Sequence, residues 1–208
     1  EAGAPIVAII DSGVLAGHPL LQGIVVEERD FDSGDGTEVD LHGHGTSVAG
    51  AAVYGDIAKC IETGSWEPLN RVCSGKVLTR AGLNLDRVVF PDGSRPESLV
   101  ESAVRHFFAE HGCRVFNLSL GDGIPYDGGR QSAWAEKLDE LSRELDVVFV
   151  VSAGNVDGPP LESLGMTRES DQNLRLHRVA RSSEQRVGSP GTSALSPPVG
   201  TLARSDAT

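Results

Sequence analysis

IVAIIDSG, residues 6–13, is an unbroken apolar run that empties into a turn. Apolar side chains from Ile6 to Ile10 without polar alternation predict a strand buried on both faces, which belongs in the middle of a parallel sheet. Asp11 then stands at the carboxyl end of that strand, the edge at which open parallel sheets bind their ligands.

The rest of the chain supplies such a sheet. A second strand is predicted over Ile24 to Val26, and the acidic stretch from Glu27 to Asp40 reads as a solvated loop. Within it Asp30, Asp32 and Asp35 have part of the spacing of a calcium loop. Gly34 occupies the third ligand position and no Glu closes the loop, so no metal is expected there. Val48, Ala49, Ala51, Ala52 and Val53 suit a closely packed helix that follows His44 and stops at Gly55. Lys59 to Cys73 carries no clear pattern, while Lys76 to Thr79 and Val88 to Phe90 read as short strands.

Ser94 and Glu97 form a capping-box pattern around Pro96. They open a helix with Leu99, Val100, Ala103, Val104, Phe107 and Phe108 at helical spacing, ending at His111 and Gly112. A strand over Arg114 to Leu120, a helix with Trp134, Leu138, Leu141 and Leu145 on one face, and a strand over Val147 to Val151 complete the alternation. That order predicts an α/β fold: a doubly wound, mainly parallel sheet with helices on both faces. Gly158 to Gln185 is polar and irregular, which suits a surface excursion.

With 208 residues, 39% of them hydrophobic, the chain can bury a sizeable core and reads as one domain or most of one. The formal net charge of −12 repels polyanions, so nucleic acid and anionic membranes are poor candidate partners. No apolar run reaches the length of a membrane span, and residues 1–25 do not have the layout of a signal peptide. Glu1 is no translational start, so a fragment or a processed form is expected. Cys60, Cys73 and Cys113 are an odd number without metal spacing and read as free thiols, with a 60–73 disulfide as the alternative. Free thiols lean towards a reducing, cytoplasmic compartment.

The chemistry centres on LHGHGTSVAG, residues 41–50, where His44 is fixed between two glycines. An imidazole that titrates near neutrality can take and return a proton, given a nucleophile on one ring nitrogen and a carboxylate on the other. The predicted sheet brings Asp11, the segment Ser119-Leu120-Gly121 and Asn155 to the same edge. Each has a plainer reading when taken alone. Asp11 before Ser-Gly suits a turn, His44 suits a satisfied core histidine, and Asn155 after Gly154 tolerates a left-handed backbone. His42 reads as loop. DSGVLAG after the first strand lacks the spaced glycines of a dinucleotide site, and no cofactor is expected.

Taken together, AIIDSGV around Asp11, HGHGTSVAG around His44, NLSLG at Asn117 to Gly121 and VVSAGN ending at Asn155 resemble the subtilisin-like serine proteases. The resemblance covers Ile6 to Asn155 well and the remainder poorly. It implies a serine endopeptidase acting on polypeptides by acyl transfer, with residues 1–208 as the N-terminal portion of one catalytic domain. Asp11 would hold the tautomer of His44, and His44 would be general base and then general acid. Asn155 would donate to the oxyanion, and Ser119, Leu120 and Gly121 would pair with substrate backbone as an added strand. The competing function is a non-catalytic subtilase-like module that binds peptides on that edge without cutting them. Relatives are often secreted with a propeptide, which opposes the compartment the thiols suggest.

What separates the two functions is a correctly placed serine. Gly191, Thr192, Ser193 and Pro197 fit the family's serine motif, but Leu195 departs where a small side chain is wanted. Pro197, Pro198 and Gly200 break most of any helix that should carry the serine at its start. Ser193 to Leu202 therefore reads as the approach to a further sheet strand with Val199-Gly200 near its end, and the nucleophile is expected beyond Thr208. Ser193 stays as the alternative nucleophile.

Overall fold

The computed structural model describes residues 3–81, 84–121, 129–153, 193, 195, 198 and 199. Along the chain run β1 (Ile6–Asp11), β2 (Val25–Asp30), α1 (His44–Tyr54), α2 (Ile57–Thr63), β3 (Arg71–Lys76), β4 (Thr79–Ala81) and β5 (Asn84–Val89). They are followed by α3 (Pro96–His111), β6 (Val115–Leu118), α4 (Ala133–Leu145), β7 (Val148–Ser152) and β8 (Pro198–Val199). Six strands form one sheet in the order β2-β3-β1-β6-β7-β8 with every pairing parallel, and β4 and β5 make a separate antiparallel ribbon.

β1 is central because it can be. Ala8, Ile9, Ile10 and Asp11 are all fully buried. Ala8 and Ile10 enter a core with Val100, Val104 and Phe107 of α3 and Leu138 and Leu141 of α4. Ile9 enters the other core with Ala49 and Val53 of α1. Alternate side chains thus face opposite helical layers, the doubly wound α/β arrangement that the sequence predicts. The chain fills the β3 side of β1 first and the β6 side second, so the strand order reverses at β1. A crevice at its carboxyl end follows from that reversal.

Several local expectations need correction. The sequence places the second strand at Ile24 to Val26, but β2 runs on through Glu27, Glu28 and Arg29 to Asp30. As an edge strand it is only half buried, so charged residues keep access to water while their backbone pairs with β3. β3 lies partly in the stretch without a pattern and ends where a strand was expected to begin, because Cys73-Ser74-Gly75 is a buried run with little apolar character. Gly75 is needed there: a Cβ would meet the Phe107 ring at 3.0 Å. α2 also arises in that stretch, with Asp56 capping Lys59 N at 3.0 Å.

The Ser94 capping box does not form. Pro96 opens α3, and the residue before a proline is pushed to extended backbone, so Arg95 (φ −108°, ψ 111°) becomes the N-cap. At the other end Gly112 takes a left-handed conformation and closes the helix as expected. All three cysteines are free. Cys73 and Cys113 lie in the α3 core with their sulfurs 4.0 Å apart, whereas Cys60 packs against the α1 core, which rules out the 60–73 pairing. β8 pairs with β7 through Val151 to Pro198 and Ser152 to Val199, in the stretch read as a further strand. Gly158 to Gln185 lies outside the described residues. Among the described residues no helix is long and apolar enough to cross a membrane.

Candidate active site

Asp11 is the last residue of β1 and is fully buried. Its Oδ1 accepts the backbone N–H of Ser12 at 2.7 Å and lies 2.7 Å from His44 Nδ1. His44 opens α1 after Gly43, whose φ of 96° suits glycine, and its side chain is 40% exposed. One imidazole nitrogen is therefore committed to a buried carboxylate while the ring reaches the surface. That orientation fixes the tautomer and leaves Nε2 as the nitrogen able to exchange a proton.

The two residues come from elements held together by Asp40. Its Oδ1 accepts Ser12 Oγ at 3.0 Å, His42 N at 3.0 Å and Gly43 N at 2.8 Å. Oδ2 accepts Thr46 N at 2.9 Å and Thr46 Oγ1 at 2.6 Å. Ser12 Oγ in turn accepts Gly45 N at 3.1 Å, which ties the turn after β1 to the start of α1. Burial alone would raise the Asp40 carboxyl, but the hydrogen bonds from Thr46 and from the N–H groups of Gly43 and His42 hold it below the usual carboxylate range. The hydrogen bond to Asp11 raises the His44 pKa above its ordinary value; burial opposes this, and the charges of Asp11 and Asp40 add to it.

Ile9 pairs with Asn117 on β6, and continuing that parallel register puts Ser119 level with Asp11. Ser119 Oγ donates to Asn117 Oδ1 at 2.9 Å, Leu120 is 6% exposed within the α3 core, and Gly121 is exposed. Leu120 thus turns its side chain inward and can offer a ligand only its backbone. Asn155 lies outside the described residues, three positions after the end of β7. Ser193 is elsewhere: its Oγ donates to Asp139 Oδ1 on α4 at 2.5 Å, and the same oxygen accepts Leu195 N at 2.9 Å. α4 belongs to the layer opposite α1, so Ser193 is engaged on the far side of the sheet from the helix that carries His44.

Ser12, Asp40 and Thr46 were not singled out from the sequence. The one signal was an acidic residue immediately before LHGHGT, indistinguishable from the acidic loop that precedes it. His42, read as loop, contributes its backbone N–H to Asp40.

Residues 3–203 match the sequence profile of the subtilase family. The chain belongs to that family. Thermitase from Thermoactinomyces vulgaris is 31% identical over 158 residues, covering 74% of this chain and 49% of thermitase. Pyrolysin from Pyrococcus furiosus is 32% identical over 145 residues, covering 61% of this chain and 10% of pyrolysin. Among solved structures, the subtilase cytotoxin SubAB assembly matches 91% of this chain and 49% of its own at a TM-score of 0.55 and 19% identity, a likeness of fold. This subtilase chain therefore spans about half the length of thermitase and a tenth of pyrolysin.

Proposed function

We propose that this subtilase chain is the N-terminal portion of a catalytic domain that hydrolyses peptide bonds by serine acyl transfer, with the nucleophile contributed from beyond Thr208. The observation that carries the reading is the 2.7 Å contact between His44 Nδ1 and the buried Asp11 carboxylate, level with the open end of β6. Asp11 keeps Nδ1 protonated, so His44 Nε2 accepts the serine proton as Oγ attacks the scissile carbonyl. The imidazolium that forms is stabilised by Asp11 and then protonates the leaving amine. Asn155 donates its side-chain amide to the oxyanion. Ser119 to Gly121 pair through their backbone with the substrate, which is an extended polypeptide.

Engagement of Ser193 by Asp139 supports a nucleophile outside this segment. The test is hydrolysis of an unfolded polypeptide by the full-length protein and by its His44→Ala variant. Turnover should vanish in the variant while its thermal melt is retained. Binding of peptide without turnover in the parent protein would favour the non-catalytic module instead.

A further inference from the structure

Lys76 is fully buried, 1% exposed at the end of β3. An ammonium taken out of water costs several kcal/mol unless it is paired and hydrogen-bonded. Its partners come from one place. Nζ lies 2.8 Å from Asp35 Oδ2 and donates to the carbonyl of Val39 at 2.8 Å. Asp35 is clamped further by Thr79 Oγ1, which donates to Oδ1 at 2.5 Å. One cation therefore grips the 31–43 loop at two points, from below, beside the catalytic edge: Lys76 is the register partner of Asp11.

The second of those points is the carbonyl just before Asp40, whose carboxylate joins Ser12 to the first turn of α1. The same segment supports the turn after Asp11. A Cβ on Gly13 would meet Glu38 O at 2.5 Å and Asp40 N at 2.9 Å, so the turn leans directly on backbone that Lys76 holds.

We propose that Lys76 is a positioning residue for the Asp11–His44 pair: by tethering Asp35 and the Val39 carbonyl it fixes the Asp40 carboxylate, and through it the approach of α1 to the end of β1. This rests on the reading of Asp11 and His44 as the acid–base pair. A methionine would fill the volume and supply no donor, so the Val39 carbonyl would lose its tether and Asp35 its cation.

The test uses the full-length protein with Lys76→Met and the double variant Lys76→Met/Asp35→Asn. The double variant removes the carboxylate left without its cation, so it recovers stability without restoring the grip on Val39. In both, kcat should fall about 10- to 100-fold, the cost of a small misplacement of the base, with KM within about twofold. The low-field proton resonance of His44 Nδ1–H should be shifted or lost. A double variant with parental kcat and an unchanged resonance would overturn the proposal. If the parent protein hydrolyses nothing, the functional reading has failed and the resonance alone decides: lost in the double variant it supports the positioning role, unchanged it overturns it.

Discussion

The first turn of α1 lies so tightly against the turn after β1 that a Cβ on Gly45 would sit 2.1 Å from the carbonyl oxygen of Gly13 and 3.1 Å from Asp11 Cβ. No side chain is compatible with the first distance unless backbone moves. Gly45→Ala should therefore push α1 outward, cost about 1–3 kcal/mol of stability, and draw His44 away from Asp11. Denaturant unfolding together with turnover of the full-length protein measures both. A variant with parental stability and rate would mean that the close approach is not needed.

The hydrogen bond that His44 donates to Asp11, aided by the charges of Asp11 and Asp40, raises the His44 pKa against the opposing effect of burial. His44 must be neutral to accept a proton, so the acid limb of kcat/KM should lie above the ordinary imidazole value of about 6.5. Asp40→Asn, which removes one of the charges facing the ring, should move that limb to lower pH. The linkage to stability has the opposite direction in pH. A histidine whose folded pKa is raised contributes stability that is fully present below its unfolded pKa and is lost as pH rises through the folded value. Titration of the His44 ring by NMR checks both, and an acid limb that stays in place in Asp40→Asn would contradict the electrostatic account.

Ser193 should prove structural. Its hydroxyl donates to Asp139, a carboxylate 3% exposed on α4 that also accepts Gln131 Nε2 at 3.0 Å. Ser193→Ala should cost about 1–3 kcal/mol through a buried acceptor deprived of one donor. Peptide hydrolysis by the full-length protein should stay within about twofold of the parent rate. Loss of hydrolysis with the fold retained would reinstate Ser193 as the nucleophile.

Glu27 joins the edge strand β2 to α3, with Oε1 2.8 Å from His106 Nε2 and Oε2 2.5 Å from His111 Nε2. Burial pushes its pKa up, but the hydrogen bonds from the two histidines prevail and hold it below the usual glutamate value. Because the folded pKa is depressed, the stabilisation is present above the unfolded glutamate pKa and is lost as pH falls through the folded one. Glu27→Gln should lower stability at neutral pH by about 1–2 kcal/mol and flatten the acid side of the stability profile. Equal losses for parent and variant on acidification would rule out this carboxylate as a source of acid sensitivity.

The parts of the fold legible in the sequence are those whose burial shows as local pattern. β1 is an unbroken apolar run, α3 and α4 repeat their apolar residues at helical spacing, and Gly55 and Gly112 mark helix ends. β2 and β3 were misplaced because an edge strand can carry charge and a strand under a phenylalanine can be small and polar. In the site, Asp11 and His44 stand out because glycines on either side mark the close approach between them. Asp40 and Lys76 do not, since the contacts by which they tie the site together, Asp40 with Ser12 and Lys76 with Val39, span 28 and 37 residues and appear only once the 31–43 loop is folded over the end of β3.

The most direct test of the account is to treat the full-length protein and its His44→Ala variant with a serine-directed fluorophosphonate and locate the modified residue by mass spectrometry. The pairing of His44 with Asp11 at 2.7 Å predicts one modified serine whose labelling disappears in His44→Ala, and the engagement of Ser193 by Asp139 supports placing it beyond Thr208. Modification of Ser193, or labelling of any serine that persists without His44, would contradict it.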